Sequence, residues 1–171
     1  MKKILVAISG ASGYSLGLKT FQKIPQKYEK YLILTESAKE VARHEEGVFA
    51  EDEIAAGPAS GSFGIDITLI VPCSLNTLAK IACGIADNLT TRAAAVAIKE
   101  HRTLLLAPRE IPLDAIALEN MQKLATLGVY IAPPVLGYYS EPKSLEEMED
   151  FIIGRWFDLV GIEHDLYKRW Q

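Results

Sequence analysis

Residues 4–8, Ile-Leu-Val-Ala-Ile, form an unbroken apolar run rich in β-branched side chains. No polar residue alternates into it, so both faces must be buried, as in the centre of a parallel sheet. The run stops at Ser9-Gly10-Ala11-Ser12-Gly13, where every side chain is tiny. Leu16, Leu18, Phe21 and Ile24 then recur at roughly helical spacing. A strand, a small-residue turn and a helix bring backbone N–H groups and a helix N-terminus to a place where an anion can sit. Ser12 adds a hydroxyl donor. The turn is not G-x-G-x-x-G, and no acidic residue stands about 20 positions on to hold a ribose. A tight turn without a ligand is the alternative.

The same alternation continues along the chain. Lys30–Leu34 reads as a second strand, ended by Thr35. Ser37 and Glu40 have the spacing of a capping box for a helix to about Glu46. The stretch from Gly47 to Gly64 reads as a polar loop holding a second small-residue cluster, Ala59-Ser60-Gly61-Ser62-Phe63. Ile67–Val71 is the third strand and stops at Pro72-Cys73-Ser74. Two helices follow, Leu75–Ala82, which Gly84 ends, and the alanine-rich Asn88–Glu100. Leu104–Ala107 is the fourth strand, ending at Pro108-Arg109-Glu110. An amphipathic helix covers Ala115–Leu127, with Gly128 as its C-cap. Val129–Ala132 is the fifth strand. Ser144 and Glu147 then open a last helix through a second capping box, to about Leu159. Five strands alternating with helices predict an α/β sandwich with a doubly wound parallel sheet. At 171 residues the chain is expected to be one domain, 1–171.

Charge and cysteine usage exclude several function classes. The net charge is −4 and the isoelectric point about 5.4, which offers no electrostatic case for nucleic acid or an anionic membrane. No apolar run approaches the roughly 20 residues needed to span a bilayer. Lys2-Lys3 imitates a signal peptide, but the apolar run behind it is too short. A cytoplasmic protein is expected. Cys73 and Cys83 form no C-x-x-C pair and are expected to be reduced. His44, His101 and His164 lack zinc spacing.

In doubly wound sheets ligands bind beyond the carboxyl ends of the strands. Gly10–Gly13, Thr35, Pro72–Thr77 and Pro108–Glu110 all follow strands directly and are therefore expected on one rim. Its Ser, Thr, Asn and N–H donors, with the cation Arg109, suit a flat polar heterocycle with a phosphate tail better than a metal. Ser74, Asn76 and Thr77 either cap the helix they open or hold phosphate. Arg92 and Lys99, seven apart, share a helix face and can grip a phosphate together. Arg155 follows the apolar Phe151-Ile152-Ile153, where a guanidinium invites an anion. Tyr138 and Tyr139 can offer a phenol to a phosphate oxygen, or pack an apolar loop. Glu45, flanked by His44 and Glu46, is either a functional carboxylate or part of a surface charge cluster. The runs Glu51-Asp52-Glu53 and Glu146–Asp150 read as solvated faces. Neither is an Asp-rich repeat, so metal-independent chemistry is expected.

The segments Ile8–Gly13, Ala59–Phe63, Pro72–Leu78, Ala86–Leu89, Arg92-Ala-Ala, Lys99-Glu100, Ala107–Glu110 and Leu118–Met121 occur in this order. Together they resemble the UbiX family of flavin prenyltransferases, within the homo-oligomeric flavin-containing Cys decarboxylase superfamily. The resemblance runs from Ile4 to about Ile162, and Trp170 matches a family Trp. It implies a Rossmann-like three-layer sandwich assembled as a homododecamer. It also implies a reaction that joins a dimethylallyl group, from dimethylallyl monophosphate, to reduced FMN without metal. The four-ring product is passed to a UbiD-type decarboxylase. By position, Gly10, Ala11, Ser12, Thr35, Ser74, Leu75, Asn76, Thr77, Arg92 and Arg109 are implied to hold FMN. Ser60, Ser62, Lys99, Arg109, Glu110, Tyr139 and Arg155 are implied to hold the dimethylallyl phosphate, partly from neighbouring subunits. Glu45, Ser12, Lys99 and Glu110 are the implied catalytic residues.

This chain departs from the family pattern in the short segment between Glu45 and Ser60, and in Glu36, where some relatives carry Lys. Two other functions stay open at this point. One is an FMN-dependent decarboxylase of a cysteinyl or aromatic acid substrate. The other is a non-catalytic flavin carrier.

Overall fold

The computed structural model describes residues 1–10, 13–34 and 47–169. Its described strands are β1 (Lys3–Ala7), β2 (Glu29–Leu34), β3 (Val48–Ala50), β4 (Ile67–Cys73), β5 (Thr103–Pro108) and β6 (Tyr130–Ile131). All pairings are parallel, in the order β3-β2-β1-β4-β5-β6. The described helices are α1 (Tyr14–Lys23), α2 (Leu75–Ala82), α3 (Leu89–Lys99), α4 (Ala115–Thr126) and α5 (Leu145–Val160). The helix expected from Ser37 to about Glu46 lies outside the described residues.

The continuous apolar run of β1 is explained by its position. Ile4, Leu5, Val6 and Ala7 are wholly buried, because helices cover both faces of the sheet. Successive side chains point to opposite faces. Ile4, Val6 and Ile8 therefore join one core with Phe21 of α1 and Ile153, Trp156 and Phe157 of α5. Leu5 and Ala7 join the other, with Leu78 of α2, Leu89 and Ala94 of α3, and Leu124 of α4. Each fully buried Leu, Ile or Val contributes about 1.5–3 kcal/mol relative to exposure. The result is the expected three-layer, doubly wound sandwich.

α1 sits unusually close to the sheet. A Cβ built on Gly17 would lie 2.2 Å from the Val71 carbonyl oxygen and 2.8 Å from Ile8 Cγ1. No other residue fits there, and the tight seat fixes the turn that precedes α1 against β4.

Two expectations need correction. The segment expected to be polar loop contains a strand, β3, so the described sheet has six strands rather than five. Three residues between Gly47 and Glu51 are too few to show a period; pairing of Val48–Ala50 with Leu32–Leu34 makes the strand. The cap of α5 is also only half a capping box. Ser144 Oγ accepts from the Glu147 N–H, but the Glu147 carboxylate accepts from the Lys143 N–H instead of closing back on Ser144. The reciprocal cap occurs elsewhere, between Asn88 and Thr91 at the start of α3.

Candidate functional site

The strand order reverses around β1, which has β2 on one side and β4 on the other. Crevices form at such switch points, beyond the carboxyl ends of the strands. Two turns meet there. The Ser9 N–H donates to the Pro72 carbonyl at 3.1 Å, continuing the β1–β4 pairing two residues beyond Ala7. The Ser74 N–H in turn donates to Ser9 Oγ at 3.1 Å, and Ser9 Oγ donates to Thr77 Oγ1 at 2.8 Å. Ser74 Oγ lies 3.0 Å from Thr77 Oγ1 and accepts from the Thr77 N–H at 3.1 Å. Ser74 thus caps α2, as one of the two sequence readings has it. Ser9 and Thr77 are buried, while Asn76 is exposed and Ser74 and Leu75 are half-buried.

Glycines keep this corner open. Gly10 has φ +103° and Gly13 φ +89°, values that disfavour any side chain. A Cβ on Gly10 would stand 3.6 Å from Ser74 Cβ, and one on Gly13 would stand 3.5 Å from Pro72 and 3.9 Å from Arg109 Cδ. The β1 turn, the β4 turn and Arg109 therefore border one space. Gly13 is the N-cap of α1 and supplies no side-chain acceptor to its first turn. Arg109 and Glu110 follow β5 and are exposed. The structure thus brings together Gly10, Ser74, Leu75, Asn76, Thr77 and Arg109. Ala11, Ser12, Thr35 and Glu45 lie outside the described residues.

Cys73, next to this corner, takes no part as a nucleophile. Burial pushes its thiol up to about 12, so it stays protonated at neutral pH.

A second group of predicted residues stands apart. Arg92 and Lys99 line one cleft of about 210 Å³ with Ala59, Ala86, Ala95 and Val96, so they do share a helix face. Lys99 Nζ lies 3.2 Å from Glu100 Oε1. Ser60 and Ser62, whose hydroxyls are 2.8 Å apart, flank Gly61. The Gly61 carbonyl accepts from the Arg102 guanidinium at 3.1 Å, and that guanidinium also reaches the Ile65 carbonyl at 2.7 Å. Lys99, Ser60 and Ser62 therefore cluster where the chain enters β4 and β5, whereas Arg109 follows the carboxyl end of β5. Six residues of strand separate those ends, roughly 20 Å at about 3.3 Å per residue. Within one chain they do not form one site.

A third group comprises Tyr139 and Arg155. They line a cavity of about 900 Å³ together with Phe151, Tyr167, Lys168 and Arg169. A smaller apolar groove of about 240 Å³ adjoins it, sharing Tyr139, Phe151 and Arg155 and adding Leu136 and Trp156. Trp156 Nε1 donates to the Ala132 carbonyl at 2.9 Å and ties α5 to the end of β6. Gly10, Ser74, Thr77 and Arg109 are not in these walls. The invitation to an anion beside Phe151 already has an occupant of its own chain: Arg155 NH1 lies 3.4 Å from Asp158 Oδ2.

Sequence reasoning passed over two residues here. Ser9 was read as part of a turn, and only its partners 65 positions away show it to be the joint between two turns. Asp158 sits in an amphipathic helix pattern with nothing to mark it. Among the described residues no group of three His, Cys, Asp or Glu side chains is placed to hold a metal, and no helix is long and apolar enough to cross a membrane.

Comparison with known proteins adds three findings. The Flavoprotein family matches residues 1–156. A flavin prenyltransferase UbiX from Campylobacter jejuni subsp. jejuni serotype O:2 is 45% identical, with 99% of this chain and 98% of the relative covered. Two solved structures superpose over nearly the full length. The dodecameric FMN-dependent UbiX-like decarboxylase from Escherichia coli O157:H7 gives a TM-score of 0.93 at 36% identity, covering 99% of both chains. AnUbiX in complex with FMN and dimethylallyl pyrophosphate gives 0.91 at 34% identity, covering 99% of this chain and 97% of that one.

Proposed function

This chain belongs to the UbiX family and is a flavin prenyltransferase, and from that premise we propose how its residues divide the work. Reduced FMN occupies the corner bordered by Gly10, Ser74, Thr77 and Arg109. Dimethylallyl monophosphate lies beside it, gripped by Lys99, Arg109, Tyr139 and Arg155. The product carries the dimethylallyl group on N5 and C6 of FMN, in a fourth ring. The observation that carries this reading is the joined pair of turns at the switch point, where Ser9 locks Ser74 and Thr77 beside two side-chain-free glycines.

The donor set fits such a ligand. Hydroxyls, backbone N–H groups and one guanidinium are what a phosphate ester and a polar heterocycle accept. Reduced FMN supplies the nucleophilic nitrogen and the ring carbon. The chain's part is to hold the allyl phosphate and to stabilise its leaving group, a phosphate that carries about two negative charges as it departs. Lys99, Arg109 and Arg155 are cations suited to that developing charge, and Tyr139 adds a hydroxyl donor. Ring closure at C6 releases a proton, which Glu45 or the departed phosphate takes. No step needs a metal.

We place the completed site between copies of this chain. Lys99 and Arg109 stand roughly 20 Å apart on one chain, and Tyr139 and Arg155 line a cavity that lacks Arg109; neighbouring copies are the simplest way to bring these three side chains to the Arg109 corner. A dodecamer, the state of the Escherichia coli neighbour, would repeat that contact. A UbiD-type decarboxylase is the receiver of the product, and two free thiols, Cys73 and Cys83, fit a cytoplasmic setting.

The decarboxylase in the name of that neighbour is the second reading. It would need an acid–base histidine at the rim. Among the described residues, His101 follows α3 at the start of β5, and His164 is buried against Asp158. Turnover of reduced FMN with dimethylallyl monophosphate decides between them. The four-ring flavin should appear in wild type, and Glu45→Gln should slow it by about 10²–10⁴-fold if Glu45 is the base. Unchanged FMN after prolonged incubation of wild type would refute the proposal.

A further inference from the structure

Among the described residues, the Asp158 carboxylate meets four side chains. Its Oδ1 accepts from Arg169 NH2 at 2.8 Å and lies 3.1 Å from His164 Nε2. Its Oδ2 accepts from the Tyr167 hydroxyl and lies 3.4 Å from Arg155 NH1. The Tyr167 hydroxyl also bonds the Arg155 guanidinium. Burial opposes ionisation, but the hydrogen bonds from Tyr167, Arg169 and His164 outweigh it and hold the carboxyl below the usual range. Asp158 is therefore a carboxylate at neutral pH.

These partners come from two directions. Arg155 is one turn earlier on α5. His164, Tyr167 and Arg169 belong to the segment after α5, which folds back onto the helix. The fold-back depends on Gly154, where a Cβ would lie 2.5 Å from Tyr167 Cδ1 and 2.8 Å from His164 Cε1. Tyr167 also meets Phe151 edge-on, with ring centroids 5.0 Å apart. Arg155 lines the cavity of about 900 Å³ on the α5 side, and Tyr167, Lys168 and Arg169 line it from the returning segment.

We propose that Asp158 is the positioning residue of the dimethylallyl phosphate subsite, setting the Arg155 guanidinium and the returning wall around it. This rests on the function proposed above. Two guanidiniums side by side repel each other; one carboxylate between them removes that repulsion and leaves a net positive charge facing an incoming phosphate. Without it, Arg155 has four rotatable bonds and half its side chain in solvent, and must be ordered at the moment of binding.

The test uses the full-length protein loaded with oxidised FMN, so that binding is read without turnover. Calorimetric titration with dimethylallyl monophosphate compares wild type, Asp158→Asn, Arg155→Ala and the double variant. Asp158→Asn should weaken binding about 10-fold, and Arg155→Ala about 10- to 100-fold, with FMN affinity unchanged in both. If Asp158 acts through Arg155, the double variant binds no more weakly than Arg155→Ala alone. Unchanged affinity in Asp158→Asn overturns the proposal, and so do losses that multiply in the double variant. Should Asp158→Asn fail to fold, Tyr167→Phe removes one donor of the hub and must show a smaller loss of the same kind; none would overturn the proposal. Trypsin cleavage after Lys168 and Arg169, followed by mass spectrometry, reads the returning segment without any ligand, and cleavage should accelerate in Asp158→Asn. If wild type ignores dimethylallyl monophosphate while trypsin still distinguishes the variants, the proposed function fails and the hold of Asp158 on the segment stands.

Discussion

Ser74 donates its backbone N–H to the hydroxyl of Ser9 at 3.1 Å, across 65 positions of sequence. The bond joins the turn after β1 to the turn after β4 at the one place where the sheet order reverses. Ser9→Ala leaves the half-buried Ser74 N–H without that acceptor. A loss of about 1–3 kcal/mol in stability is expected, read by urea unfolding. FMN affinity should fall with it, because Ser74 and Thr77 lose their common partner. Wild-type FMN affinity in Ser9→Ala would show that the joint is structural alone.

The separation of Lys99 from Arg109 makes a stronger statement about assembly. Lys99→Ala and Arg109→Ala should each be nearly inactive alone. Mixed and reassembled, they should regain activity, since some contacts then combine an intact Lys99 with an intact Arg109 from different chains. Co-refolded mixtures that stay as inactive as either parent would place both residues in one chain's site.

Gly17 offers a check on the seat of α1. Ala at this position must displace both the Val71 carbonyl and the Ile8 side chain, or push α1 away from them. Overpacking of this kind costs about 1–3 kcal/mol or more. Thermal unfolding should register it as a lowered midpoint, with FMN binding weakened because Gly13 and the β1 turn move with the helix. An unshifted midpoint would mean that α1 stands farther from β4.

Glu51 gives a pH-dependent prediction. Burial raises its carboxyl above the ordinary range, only partly offset by Thr90 and Lys80. Its Oε1 accepts from Asn88 Nδ2 at 2.9 Å, where α3 begins. A folded-state value above the unfolded one favours the native state below the unfolded pKa, and that advantage is lost as pH rises through the folded value. Glu51→Gln carries no such loss. Its melting midpoint should therefore exceed that of wild type at pH 7, with the difference shrinking towards about pH 4. A difference that grows on acidification would reverse the assignment.

Much of the architecture is local in origin and was legible for that reason. Ile4–Ile8 announces a doubly buried strand because its alternate residues enter two different cores, and each core needs apolar side chains. Ser9–Gly13, Pro72–Ser74 and Pro108–Glu110 mark strand ends because small, cyclic and polar residues interrupt the run. Leu75–Ala82 matches its expected bounds, since Ser74 caps it within three residues. The resemblance of ordered motifs likewise pointed to the family that the comparisons support.

What remained hidden depends on partners distant in sequence. Val48–Ala50 is a strand only because Leu32–Leu34 lies alongside, and three residues carry no period of their own. Ser9 is a joint only because β1 and β4 are neighbours. Asp158 is a hub only because Gly154 lets the chain after α5 return across it. Lys99 and Arg109 share a proposed ligand, yet a full strand holds them apart in one chain. The alternation of apolar runs and small-residue turns thus determined the layers and the rim, because burial and backbone freedom are read residue by residue. Which side chains meet across those layers was decided by the tertiary structure alone, because hydrogen bonds act over about 3 Å and close only after packing has brought distant segments together.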